Sequence, residues 1–200
     1  MAEVGRFRRG ARPFDFARGA PRPGRYSPDH LDIRGAIAAI RYAPVEIGYG
    51  FDAEGRQIFR QVGDPDEIRG FDPRDLRAMT DGAFVHSHPP YDRFPEGDSR
   101  RRAGSFSARD LTFMYENNLT EIVAVTRERA YFLRPLGGFF LDPDQIRRDY
   151  TRTLRQVETG LKLLAARGMI SIDEALSAGR IADEVMDRLS PFFVYRWEEV

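Results

Sequence analysis

The sequence predicts an α/β fold: one mixed β-sheet flanked by helices, with a helical C-terminal extension. Three observations carry this expectation. Short runs rich in β-branched and aromatic residues ("VEIGYGF", "RQIFRQV", "GAFVHSH", "EIVAVT", "AYFLRP") have strand lengths and are bounded by turn residues. Between them lie segments whose apolar residues recur every three or four positions, the period of a helix with one buried face. After residue 140 the strand signals give way to a long amphipathic stripe. The division that follows is a basic arm at 1–27, an α/β domain at 28–140, and a helical extension at 141–200 packed on that domain.

The arm is rich in Arg, Gly and Pro, shows no apolar period, and reads as flexible and solvated. Ser27 followed by Pro28 reads as a helix start, a capping residue and then a proline at the first position. Leu31, Ile33, Ile37, Ile40 and Tyr42 supply its apolar face, and Pro44 stops it. A hairpin follows: strand 45–51, the turn "DAEG", and strand 56–62. "DPRDLRAM" suggests a short helix. "GAFVHSH" is an apolar run of strand length, read as buried, and a loop of low apolar content runs from Pro89 to Gly104. "SARDLTFMYENNL" reads as a helix burying Leu111, Met114, Tyr115 and Leu119. "EIVAVT" and "AYFLRP" are strands around a charged turn. Ile146, Tyr150, Leu154, Val157, Leu161 and Leu164 form one helical stripe that Gly168 ends. Ser171 and Glu174 have the spacing of a capping box for a further helix, and "PFFVYRW" reads as a strand or a packing arm.

Composition bounds the chemistry. The 200 residues include no cysteine, so disulfides and thiolate metal sites are excluded, and any metal must be held by His, Asp or Glu. Formal net charge is zero, so no overall field draws the chain to nucleic acid or to an anionic membrane. No apolar run approaches the length of a membrane span or a secretion signal, and a cytoplasmic protein is expected. Lys162 is the only lysine, against thirty arginines. A GC-rich genome accounts for that bias; avoidance of lysine conjugation would too, because only the lysine amine can form an isopeptide bond.

Two of the three histidines stand two residues apart in "VHSHP". Alternate side chains of a strand share a face, so His86 and His88 can offer two imidazoles to one ion. A catalytic zinc normally takes three protein ligands and leaves a position for water. Without cysteine, the third ligand must be a carboxylate or His30, and Asp110 in "SARDL" is the best carboxylate candidate. Ser107 and Asp110, one helical turn apart, also have the spacing of a cap, and the two roles are compatible. Glu46, in "PVEIG", is an acid in an otherwise apolar strand start, which is costly unless paired or functional; it is the candidate general base, ahead of Glu54 and Glu67.

Glu46 in "VEIG", "HSHP" at 86–89 and "SARD" at 107–110, in that order, resemble the signature of the JAMM (MPN+, JAB-domain) zinc metalloproteases. The resemblance spans about Ser27 to Pro135 and departs from the family in the long stretch 89–106 between the second histidine and Ser107, an insertion that an exposed loop tolerates. It implies a JAMM/MPN-type catalytic domain. By resemblance, His86, His88 and Asp110 would hold one Zn²⁺ per chain, Glu46 would act as general base, and Ser107 would hydrogen-bond the oxyanion. The implied function is hydrolysis of a peptide or isopeptide bond, releasing a ubiquitin-like protein or processing a protein tail, with a protein substrate as partner and no role for membrane or nucleic acid. The alternatives are a catalytically silent MPN-like scaffold, a RadC-like nucleic-acid-associated relative and a toxin or effector JAB domain. Cupin-type centres and polymerase-associated phosphoesterases also use His-x-His but need further histidines, and none follows His88.

Overall fold

The computed structural model describes residues 31–65, 67–90, 103–136 and 142–200. Its elements run α1 (Ile33–Ile40), β1 (Ile47–Phe51), β2 (Gln57–Val62), α2 (Pro73–Ala78), β3 (Ala83–Ser87), α3 (Ala108–Glu116), β4 (Glu121–Val125) and β5 (Arg129–Pro135). They continue with α4 (Pro143–Ala166), α5 (Ile172–Ala175), α6 (Ala178–Leu189), a short 3₁₀ turn and β6 (Phe193–Glu199). The fold class is α/β, as the sequence predicts: a six-stranded mixed sheet with helices on both faces.

Strand order is β2-β1-β3-β4-β5-β6. Every neighbouring pair is antiparallel except β3 and β4, which run parallel. A parallel pair needs a crossover, and α3 supplies it. Alternation along the strands divides the core between two faces. On one, Val85, Val123, Val125 and Phe132 meet the apolar stripe of α1: Ile33, Ala36, Ile37 and Ile40. On the other, Phe84, Ile122, Ala124 and Leu133 lie under α3, α4 and α6, which bring Leu111, Met114, Val157, Leu161, Val185 and Met186.

The C-terminal region does more than pack helices on the domain. β6 pairs with β5 from Arg129↔Glu199 to Pro135↔Phe193 and becomes an edge strand of the sheet. Two helix boundaries differ from the sequence expectation. Leu31 is not helical; its N–H donates to the Gln57 side chain of β2 (2.9 Å). Asp32 caps the helix instead, accepting from Gly35 N–H at 2.7 Å, so the helix begins at Ile33. Ser27 and Pro28 lie outside the described residues, as do the arm and the "DSRRR" portion of the long loop. The capping box of Ser171 and Glu174 forms, yet the helix it opens ends at Ala175, because Ser177 caps a new one, α6. Among the described residues, no helix is long and apolar enough to cross a membrane.

Candidate metal centre

β3 positions both histidines. Phe84, His86 and His88 follow one another on the face of the sheet that α3 covers, while Val85 and Ser87 face α1. His86 is buried and its ring stacks on Phe84, with centroids 5.4 Å apart and planes 15° from parallel. Gly48 of β1 pairs with His86, and a Cβ there would lie only 2.4 Å from Phe84 Cζ, so glycine makes room for the ring on which the histidine rests. His88 lies one residue beyond the strand, its N–H still bonded to the Val125 carbonyl (2.7 Å).

Asp110 arrives from α3. Ser107 is the N-cap: its hydroxyl accepts from Asp110 N–H (3.3 Å), and the Asp110 carboxylate accepts from Ser107 N–H (2.7 Å) and hydroxyl (2.8 Å). This capping box satisfies two orphan donors of the helix start. It also holds the carboxylate over β3, with Oδ1 3.1 Å from His86 Nε2 and Oδ2 3.7 Å from His88 Nε2. Cap and cluster are therefore the same geometry. Burial would raise the Asp110 carboxyl, but the two imidazoles and the bond from Ser107 outweigh it, holding Asp110 well below the usual carboxylate range.

The two Nε2 atoms approach to 2.9 Å. His88 donates Nδ1–H to the Gly104 carbonyl (2.9 Å), which leaves the Nε2 lone pair for the cluster, the arrangement by which proteins orient a metal-binding histidine. His86 Nδ1 is buried without a hydrogen-bond partner among the described residues, so the polar function of that ring is concentrated on Nε2. Ligand atoms of His86, His88 and Asp110 all lie within 4.8 Å of one another, and the three could hold a metal ion. Two imidazole nitrogens and a carboxylate oxygen suit zinc or another first-row divalent ion better than calcium or magnesium, which favour all-oxygen sites.

The cluster opens on a cavity of about 430 Å³, which Glu46, Ser107 and Arg109 also line. Glu46 is half-buried just before β1. Its backbone pairs with the far end of the hairpin (Glu46 N–H to Asp64 O, 2.9 Å; Gly63 N–H to Glu46 O, 2.8 Å). Continuing the Gly48↔His86 register outward sets Glu46 across from His88. Five of the residues singled out in the sequence, Glu46, His86, His88, Ser107 and Asp110, thus border one cavity. Glu67 borders it too, ion-paired with Arg69 and Arg109. Glu54 lies in the β1–β2 turn and pairs with Arg56, and His30 is outside the described residues.

Five contributors carried no motif. Ser87, between the histidines, accepts from Ile47 N–H (2.8 Å) and donates to the Val45 carbonyl (3.1 Å), fastening the chain on both sides of Glu46. A serine inside an apolar strand was the available signal. Gly104 supplies the carbonyl that orients His88, and a Cβ on it would lie 2.5 Å from Ala182 Cβ of α6, so the extension backs the loop that holds this histidine. Phe71, Phe84 and Phe113 also line the cavity; in sequence none of the three was singled out. In comparisons with known proteins, no family model, curated protein or solved structure matches the chain.

Proposed function

We propose that this protein is a metal-dependent hydrolase of peptide or isopeptide bonds, using zinc, of the kind the JAMM metalloproteases represent. The observation that carries the reading is the meeting of His86, His88 and Asp110 on a cavity that Glu46 also borders. In this reading His86, His88 and Asp110 hold the ion. Zn²⁺ there would supply a Lewis acid that polarises a carbonyl and eases deprotonation of water.

The remaining chemistry belongs to the side chains. Glu46 takes a proton from the attacking water and delivers it to the departing amine, the two halves of general base and general acid catalysis. Ser107 would donate to the oxygen on which negative charge develops. Its hydroxyl is held by Asp110 Oδ2 at 2.8 Å, so this donation requires the hydroxyl to rotate while Ser107 N–H keeps its bond to the carboxylate. The substrate class is a protein, either one carrying a ubiquitin-like conjugate or one processed at its tail, and the active compartment is the cytoplasm.

Metal analysis paired with cleavage of a panel of ubiquitin-like fusions tests the proposal. The purified protein is expected to carry about one zinc per chain, the number that a single three-ligand site holds. His86→Ala is expected to lose it, and Glu46→Gln to keep metal and fold but stop turnover. Full zinc retention in His86→Ala, or unchanged cleavage by Glu46→Gln, would overturn the assignment.

A further inference from the structure

Each element that brings a ligand to the cluster also brings an aromatic ring on the same face. On β3, Phe84 precedes His86 by two residues, the strand period. On α3, Phe113 follows Asp110 by three, within the helical period. The two rings meet at 5.0 Å between centroids. Phe71, from the segment before α2, closes the group at 5.7 Å from Phe84 and 5.1 Å from Phe113. With Ile68, all three rings line the same cavity as His86, His88 and Asp110.

Burial separates floor from walls. Phe84 is 4% exposed and lies at the bottom, against His86. Ile68, Phe71 and Phe113 are only half-buried. Charged groups border the same cavity, with Glu67 ion-paired to Arg69 and Arg109. The result is a recess in which apolar side chains stand beside the His86, His88 and Asp110 cluster. A volume of about 430 Å³ falls within the range of ligand sites, about 300–1,000 Å³. Partly exposed aromatic rings beside a reactive centre gain most when a ligand group covers them.

We infer that this aromatic recess is a specificity pocket: the substrate is a polypeptide with a bulky apolar side chain beside the scissile bond, and Ile68, Phe71 and Phe113 enclose that side chain. The inference rests on the hydrolase reading above and narrows its substrate. A glycine at that position would leave the recess unfilled and forgo the burial that the rings offer.

Amino-acid hydroxamates test it without knowledge of the natural substrate, because the hydroxamate group binds zinc while the side chain probes the recess. Glycine, leucine and phenylalanine hydroxamates are titrated by calorimetry into the zinc-loaded full-length protein. Phenylalanine hydroxamate is expected to bind about ten- to a hundred-fold tighter than glycine hydroxamate, the range for burying one large apolar side chain, with leucine between them. Ile68→Phe, which fills the recess, is expected to erase most of that difference while leaving zinc content and glycine hydroxamate affinity unchanged. Phe113→Ala, which enlarges the recess, should lower phenylalanine hydroxamate affinity selectively. Zinc retained with all three hydroxamates bound alike, or an unchanged preference in both variants, overturns the pocket and leaves the metal centre standing. No zinc and no hydroxamate binding removes the hydrolase reading, and the pocket with it.

Discussion

Ser87 lies between the two histidines and faces the other way, because side chains alternate along a strand. While His86 and His88 turn toward α3, the Ser87 hydroxyl bridges Ile47 N–H and the Val45 carbonyl, the neighbours of Glu46. Three consecutive residues thus serve both faces of the sheet. Ser87→Ala leaves a half-buried donor and a half-buried acceptor without their partner, at a cost of about 1 kcal/mol. The expected outcome is a lower melting temperature, unchanged zinc content and reduced turnover, with Ser87→Thr, which keeps the hydroxyl, recovering part of the loss. Turnover that stays at the wild-type level in Ser87→Ala, despite lower stability, would separate Ser87 from the positioning of Glu46. The histidine pair was legible in sequence because period-two geometry puts both rings on one face whatever else the fold does. Ser87 was not, since the same rule removes it from the site, and its contacts depend on which strand becomes the neighbour.

At the scale of elements, the segment from Ala103 to Ser107 is held from several sides. α4 reaches it through Tyr150, whose hydroxyl donates to the Phe106 carbonyl at 3.0 Å. α6 presses on Gly104 through Ala182 and Gly179, and Gly104 steers His88. A methyl group on Gly104 has nowhere to go without moving α6 or the loop. Gly104→Ala is therefore expected to weaken zinc affinity about tenfold, the lower end for loss of a partner that orients a ligand, measured by competition with a chelator. Ala182→Gly in the same chain removes the 2.5 Å contact and should restore most of the affinity. A Gly104→Ala protein with wild-type zinc affinity would show that the carbonyl does not hold the ring. Local signals were read well where they are local: both capping boxes, Ser107 with Asp110 and Ser171 with Glu174, form. Extents were read less well where a second group competes. Gln57 draws Leu31 out of α1, and Ser177 interrupts the helix that Ser171 begins.

For the whole molecule, the decisive feature is that the last strand belongs to the sheet. β6 completes the edge beside β5, and α4 and α6 form the layer over the face that carries the candidate centre. A chain ending at Leu141 would expose Leu111, Met114, Ile122 and Leu133 together. Such a fragment is expected to show no cooperative thermal transition and to lose zinc, as followed by calorimetry and metal analysis. A fragment that melts cooperatively with metal bound would make the extension dispensable. The alternation of strands and helices made the α/β class legible. Strand order was not legible, because apolar periodicity states which face is buried and says nothing of which strand lies alongside. The aromatic recess stayed hidden for a related reason: Phe71, Phe84 and Phe113 become one surface only once three separate elements have met.

His86, His88 and Asp110 all lie between the start of β3 and the first turn of α3, within the one crossover that joins the parallel pair. An ion seated among them would rivet the returning helix to the strand it left. Detaching α3 would then require giving up the ion as well, so its affinity would add to the barrier against unravelling. The same contacts that make a reactive centre would make the loaded protein outlast the empty one in an environment rich in proteases.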